Sequence, residues 1–353
     1  MKNKIIIILS IFVLLILAGV IGYIQLAKKP KLSPVLNIYN WEDYFDPSTI
    51  PNFEKEFGVK VNLETYDSED TMLSAIQSDP AKYDIVIASD VLIKEMIDMK
   101  LLAQLDMKNI PNFKNIGEEF RTPPYDPGSK YSIPYMWGTS GIVVNRKYIK
   151  EIDPSWAILW NPEYKGKISM LNNMQDVMAA ALKYLGYSAN SSDPAELEKA
   201  RELLLKQKPL LRGYEDTVTI RDDLVSEKLW AGHNYSGSGF SAVAKNENLE
   251  YIIPKEGGFI WVDTLFIPVD SPHKQTAETF INYILRPEVS AKIADYTWYA
   301  NPNEAAKEFT NPEIIQNSAI YPPEEVKKKL EYSWSFGGTE VVAAYNKIWA
   351  ELQ

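Results

Sequence analysis

Two long extended segments constrain this chain more than any other feature. SIPYMWGTSGIVVN at Ser132 to Asn145 and KEGGFIWVDTLFIP at Lys255 to Pro268 have the glycine and β-branched content of extended crossovers. Each passes between stretches in which short apolar strands alternate with amphipathic helices. Val35 to Tyr39, Val59 to Glu64 and Tyr83 to Ala88 read as strands of a first unit. Its first helix carries Ile50, Phe53 and Phe57 at helical spacing and stops at Gly58, while a second runs from Val91 to Leu102. The second unit holds the strand GKISML, a helix around Asp176 to Leu185, and a helix opening at Asp193-Pro194 with Glu196 closing a capping box. Strands near Leu229 to Asn234 and Leu249 to Ile253 complete it, and helical patterns at Thr276 to Leu285 and Pro287 to Tyr296 follow the second crossover. Strands alternating with helices predict a mostly parallel sheet covered on both faces. Two such α/β lobes joined by more than one extended segment make a hinge that closes on a ligand held between them.

The bulk numbers narrow the chemistry. A chain of 353 residues is comfortable as two domains. Hydrophobic residues at 46% and charged residues at 24% describe an ordinary globular protein. A formal net charge of −10 without a basic patch argues against nucleic acid and fits a cationic ligand. Cysteine is absent and only His233 and His273 occur, so thiol chemistry and disulfides are excluded, and a zinc site would rest mainly on carboxylates. No G-x-S-x-G elbow accompanies either histidine. His273, in a turn-like SPHKQ, reads as solvent-exposed. No catalytic residue, metal site or cofactor is expected.

Residues Ile5 to Leu26 are almost unbrokenly apolar behind Lys2 and Lys4, with Lys28 and Lys29 following. The run is longer than an ordinary signal-peptide core and about the 20 residues a bilayer span needs. Gln25 spoils a small-x-small cleavage site at Ala27, and Val20 stands where a lipoprotein box would place its cysteine. The expectation is an uncleaved anchor or transmembrane helix at residues 1–27 and a linker at 28–34, with cleavage and secretion as the alternative. The body then lies on the outer face of a bacterial membrane.

Candidate ligand contacts gather at strand ends, where α/β sheets present them. Trp261 and Asp263, two apart in an extended run, share one face. An indole and a carboxylate suit an organic cation. A core tryptophan beside a turn aspartate explains the segment alone equally well. Trp41, Glu42, Asp43 and Tyr44 follow the first strand, Ser89 and Asp90 the third, and Tyr235 the strand of His233. Trp298 and Tyr299 lie in a YTWYANP turn. Trp137, Trp156 and Trp160 are assigned to packing.

The motifs YNWEDY, YDIVIASD, SIPYMWGTSGIVVN, the NPEYKG segment after Trp160, LGYSANSSDP, PKEGGFIWVD and YANPN, in that order, resemble bacterial spermidine/putrescine-binding proteins of ABC importers. The resemblance covers nearly all of the chain after the apolar run. It implies a two-lobed type II periplasmic-binding-protein fold, with 35–138 plus 263–305 in lobe 1 and 139–262 plus 306–353 in lobe 2. It also implies a polyamine ligand gripped by aromatic rings and carboxylates, ABC permease subunits as partners, and a monomeric protein. Position by position, Trp41, Tyr44, Tyr235, Trp261 and Tyr299 match the family's aromatic box, Tyr235 replacing a tryptophan. Asp263 matches the main amine-binding aspartate, Asp43 and Asp176 match glutamates, and Ser89 matches a polar contact. Asn173 replaces an aspartate, Glu42 a threonine, Val91 a tyrosine and Ser335 a glutamine. These departures bear on which amine is bound. A different amine such as agmatine, or a hydrolase built on paired carboxylates such as Asp43 and Asp263, are the alternatives.

Overall fold

The protein is described here by a computed structural model, for residues 32–151, 153–333 and 339–353. Its ten strands form one continuous path of pairing in the order β2-β1-β3-β9-β4-β7-β5-β6, with β10 also paired to β9 and β8 to β4. The strands are β1 Val35–Trp41, β2 Lys60–Tyr66, β3 Ile85–Ser89, β4 Ser132–Asn145, β5 Ile168–Leu171, β6 Gly213–Glu215, β7 Ala231–Tyr235, β8 Leu249–Ile252, β9 Phe259–Phe266 and β10 Glu331–Tyr332.

The first lobe is built on parallel pairs β1·β2 and β1·β3. Side chains alternate across these strands, so each covering helix finds its own row. Leu36, Ile38, Ile85 and Ile87 pack with Phe53 of the helix Thr49–Phe57. Val86 and Ala88 face the other way, toward Met72 and Ile76 of the helix Glu69–Ser78 and Ile93 and Met96 of the helix Asp90–Asp98. Gly58 ends the first of these helices at φ 68°, a left-handed conformation that glycine adopts without steric cost. In the second lobe β5 pairs in parallel with β6 and β7. Ile168 and Met170 pack under the helices Met174–Tyr184 and Pro194–Gln207, together with Trp156.

The two expected crossovers are β4 and β9. All fourteen residues of β4 are buried. Its first half, Ser132 to Thr139, pairs antiparallel with β9, and its second half, Ser140 to Asn145, pairs with β7 and β8. A single strand therefore belongs to both lobes, and the backbone changes partner between Thr139 and Ser140. β9 in turn pairs with β3, which sets Asp263 opposite Ser89.

Four expectations need correction. An N-terminal transmembrane helix is not part of this fold description: no helix among the described residues is long and apolar enough to cross a membrane, and residues 1–27 lie outside them. The capping box at Pro194 is not reciprocal. Asp193 accepts from the Ala195 and Glu196 amides, but the Glu196 carboxylate takes a hydrogen bond from the Ser191 hydroxyl, and it is that hydroxyl which accepts from Asp193 N–H. His273 is not free in solvent, since its Nδ1 lies 3.1 Å from the buried Asp84 carboxylate. Finally, the helix expected to run to Leu102 stops at Asp98, where the chain turns through Lys100 at φ 59°.

Candidate functional site

β9 supplies the centre. Trp261 and Asp263 do share a face, and Gly138 of β4 stands opposite the indole. A Cβ at Gly138 would lie 2.5 Å from Trp261 Cζ2, so only glycine leaves the ring its place. Tyr299 reaches the same space because Trp298 ends the helix Pro287–Thr297 in the left-handed region, at φ 59°. Its ring lies against Gly237, where a Cβ would come within 2.5 Å of Tyr299 Cε1. Two glycines thus shape the aromatic wall.

The side chains form a continuous line of contacts between the lobes. Tyr44 donates its hydroxyl to Asp263 Oδ2, and its own backbone carbonyl accepts from Tyr135 at 2.6 Å. Its ring meets Tyr299 edge-on at 5.8 Å; Tyr299 meets Trp261 at 5.0 Å, and Trp261 meets Tyr235 at 5.9 Å. Such T-shaped pairs are each worth roughly 0.5–1.5 kcal/mol beyond their burial. Tyr235 then donates to Asp176 Oδ2 at 2.9 Å, while Ser140 donates to Asp176 Oδ1. Asp176 sits in the first turn of its helix, and its amide is capped by Asn173 Oδ1 at 3.1 Å.

Electrostatics sets this region apart. Burial pushes the Asp263 carboxyl up to about 7, against the hydrogen bond from Tyr44. Glu69 is also pushed up to about 7, first by desolvation and then by the negative charge of Asp263, while the Ser89 N–H and hydroxyl pull it down. Its Oε1 is inaccessible and lacks a hydrogen-bond partner among the described residues. Desolvation likewise raises Asp176, opposed by its bonds from Ser140 and Tyr235. Asp90 is raised well above the usual range by burial, despite accepting from Val262 N–H at 3.3 Å. No lysine or arginine figures among the groups that shift these four carboxyls. Four carboxyls are gathered away from water with no lysine or arginine among the groups that shift them, and ionising each costs several kcal/mol unless it is paired.

Of the residues singled out from sequence, Tyr44, Tyr235, Trp261, Asp263, Tyr299 and Asp176 come together. Trp41 packs on Tyr66 at 4.2 Å, and the Tyr66 hydroxyl is itself shifted up by burial and by Asp263 and Glu69. Ser89 lies beside Glu69 and caps the helix Asp90–Asp98. Asp90 is buried, with only 3% of it exposed. Glu42 and Asp43, by contrast, are exposed, with Asp43 turned through φ 56° toward the side of Tyr296. Asn173 is exposed and serves as a cap. Ser335 lies outside the described residues. His233 is fully buried against Trp156 and is held neutral, its pKa depressed to about 3 by desolvation, so it is a core residue. Trp137 and Trp156 are buried, and Trp160 packs on Tyr184.

Glu69 was missed from sequence, although the signal was available. It follows β2 in Tyr66-Asp67-Ser68-Glu69-Asp70, at the same end of the sheet as the acids after β1 and β3. Ser140, Gly138 and Gly237 had no local signal, because each acts on a residue distant in sequence.

A hinged pair of α/β lobes enclosing an aromatic and acidic cleft defines a solute receptor. The chain matches the family Bacterial extracellular solute-binding protein over residues 49–323 and belongs to that family. It is 33% identical over 344 residues to the Spermidine/putrescine-binding periplasmic protein of Salmonella typhimurium, covering 96% of this chain and 97% of the relative. To the Putrescine-binding periplasmic protein PotF of Escherichia coli it is 33% identical, covering 89% and 90%. Among solved structures, the spermidine/putrescine ABC transporter substrate-binding protein PotD of Streptococcus pneumoniae superposes with a TM-score of 0.81 at 36% identity, covering 91% and 98%. The resemblance to spermidine/putrescine-binding proteins therefore stands, and these relatives are binding proteins of transporters, not enzymes.

Proposed function

We propose that this protein captures a polyamine, spermidine or putrescine, in the cleft between its lobes and delivers it to an ABC permease on the outer side of a bacterial cytoplasmic membrane. The observation that carries the reading is the set of carboxyls at Asp263, Glu69 and Asp176, all raised by desolvation and none shifted by a basic residue among the described residues. An ammonium ion supplies the missing charge. Its methylene chain lies against Trp261, Tyr299 and Tyr235, whose faces attract a cation by roughly 0.5–2 kcal/mol each. Asp263 and Glu69 come from the first-lobe side and Asp176 from the second, so a ligand with two or more amines bridges the lobes and favours closure. The names of the relatives point to the same ligand class.

Calorimetric titration of the purified protein with putrescine, spermidine, spermine and agmatine tests the reading. Saturable binding of putrescine or spermidine is expected, with Asp263→Asn weakening it by roughly two to four orders of magnitude, since breaking a buried ion pair costs about 3–5 kcal/mol. Folded, ligand-free protein that binds none of the four amines would refute it.

A further inference from the structure

β4 passes from one lobe to the other at Thr139. It is the last residue of the strand in register with β9, opposite Ile260, and Ser140 is the first in register with β7, opposite Tyr235. The polar groups of Thr139 turn here to side chains of the second lobe. Its N–H reaches Ser236 Oγ at 3.3 Å, its carbonyl accepts the Tyr251 hydroxyl at 2.9 Å, and its Oγ1 lies 2.9 Å from the same phenol oxygen. A phenol has one proton to give, so with that proton on the carbonyl the Thr139 hydroxyl donates the second bond. Thr139, Ser236 and Tyr251 are all buried. The Tyr251 ring has no room to follow a moving strand. A Cβ at Gly141 would come within 2.6 Å of its hydroxyl and one at Gly239 within 2.6 Å of its Cδ2, and Phe240 packs on it at 5.1 Å. Among the described residues, Tyr251 hydrogen-bonds only to Thr139. The residues on either side of Thr139 belong to the site: Gly138 makes room for the Trp261 ring, and Ser140 donates to Asp176 Oδ1.

We propose that Tyr251 is a positioning residue that acts through Thr139. It pins the point at which β4 changes lobe, keeps Gly138 under Trp261 and Ser140 on Asp176, and so favours the closed arrangement of the lobes before ligand arrives. The proposal goes beyond the polyamine reading, because the pin acts whichever solute the cleft holds. In this structure the lobes are together, with the Tyr299 ring of the first against Gly237 of the second. Without the phenol hydroxyl, the Thr139 carbonyl and Oγ1 lose a buried partner in the closed state, a loss that conformations open to water at the junction do not suffer. The population shifts toward those open conformations. Because the closed state is the one in which both lobes touch the ligand, affinity for every ligand falls by the same factor.

Solution X-ray scattering and calorimetric titration of wild type, Tyr251→Phe and Thr139→Val test it. Tyr251→Phe keeps the ring between its two glycines and removes only the hydroxyl. Its ligand-free radius of gyration is expected to exceed that of wild type, and saturating spermidine to bring the two back together. Its affinity for putrescine and for spermidine is expected to fall by one common factor, about five- to tenfold, as the closed population drops. Thr139→Val retains the carbonyl bond and loses only the hydroxyl donor, so the same changes are expected at about threefold or less. A ligand-free radius equal to that of wild type in Tyr251→Phe would overturn the pin, whatever the affinity, since a merely structural role lowers the melting temperature without opening the lobes. Unequal losses for the two amines would also overturn it, by placing the effect at the ligand contacts. A wild-type protein that binds neither amine would refute the polyamine reading alone, because the ligand-free scattering still decides the pin.

Discussion

Lowering the pH should weaken polyamine binding steeply, and the magnitude follows from two carboxyls. Asp263 and Glu69 both sit at about 7 without ligand, so near neutrality each is about half protonated. An ammonium ligand pairs only with the ionised form, and binding must therefore expel the proton. For one such group the population able to bind falls about 90-fold between pH 8 and pH 5, and the second carboxyl, coupled to the first by charge repulsion, steepens the fall. The sign is fixed: affinity declines as pH drops through 7, with a slope in log Kd of one to two per pH unit. Calorimetry at pH 7 in buffers of different ionisation enthalpy should register about half a proton released for each carboxyl that pairs. Asp263→Asn and Glu69→Gln should each remove one unit of the slope while weakening binding at pH 8. Affinity unchanged from pH 8 to pH 5, with no proton release, would refute the claim that these carboxyls are the ammonium partners.

The ligand-free protein should show the complementary effect in its stability. A carboxyl whose folded value is raised binds its proton more tightly in the native state, so stability declines as pH rises from about 4, the unfolded value, to about 7. Relative to Asp263→Asn, thermal melting of the ligand-free protein should fall over that window, and saturating spermidine should restore the wild type at pH 8; the same pH dependence in wild type and variant would contradict the assignment. Gly138→Ala should lower polyamine affinity about tenfold or more while preserving the far-ultraviolet circular dichroism, because its methyl group displaces the Trp261 ring rather than the strand. Wild-type affinity in that variant would show that the position of the indole does not matter to binding.

Much of the architecture was legible in local patterns. The periods of two and 3.6 placed strands and helices in both lobes, though not β6, β10 or the helices Glu69–Ser78, Thr217–Val225 and Ser236–Val243, and the glycine and β-branched content of Ser132 to Asn145 and Lys255 to Pro268 marked them as extended crossovers. The Trp261–Asp263 pair could be placed on one face because a strand alternates its side chains. Errors arose where a local rule competes with a neighbour. Glu196 was taken by Ser191, and His273, in a polar turn, was captured by Asp84 from the end of the strand region. Asp90, at the first position of its helix, is buried and accepts from Val262 N–H of β9.

The sequence by itself determined the alternating lobes, the crossovers, the absence of thiol chemistry and a supply of rings and acids at the strand ends. Only the tertiary structure decided which of those acids are buried together. Glu42 and Asp43 stay in water, whereas Glu69, three residues past the end of β2, is pressed toward Asp263. Only there do Gly138 and Gly237 acquire their role, since each makes room for a ring more than sixty residues away along the chain. The physical reason is that strand and helix periods are written in neighbouring residues, while desolvation and charge repulsion depend on groups that meet only when the lobes fold.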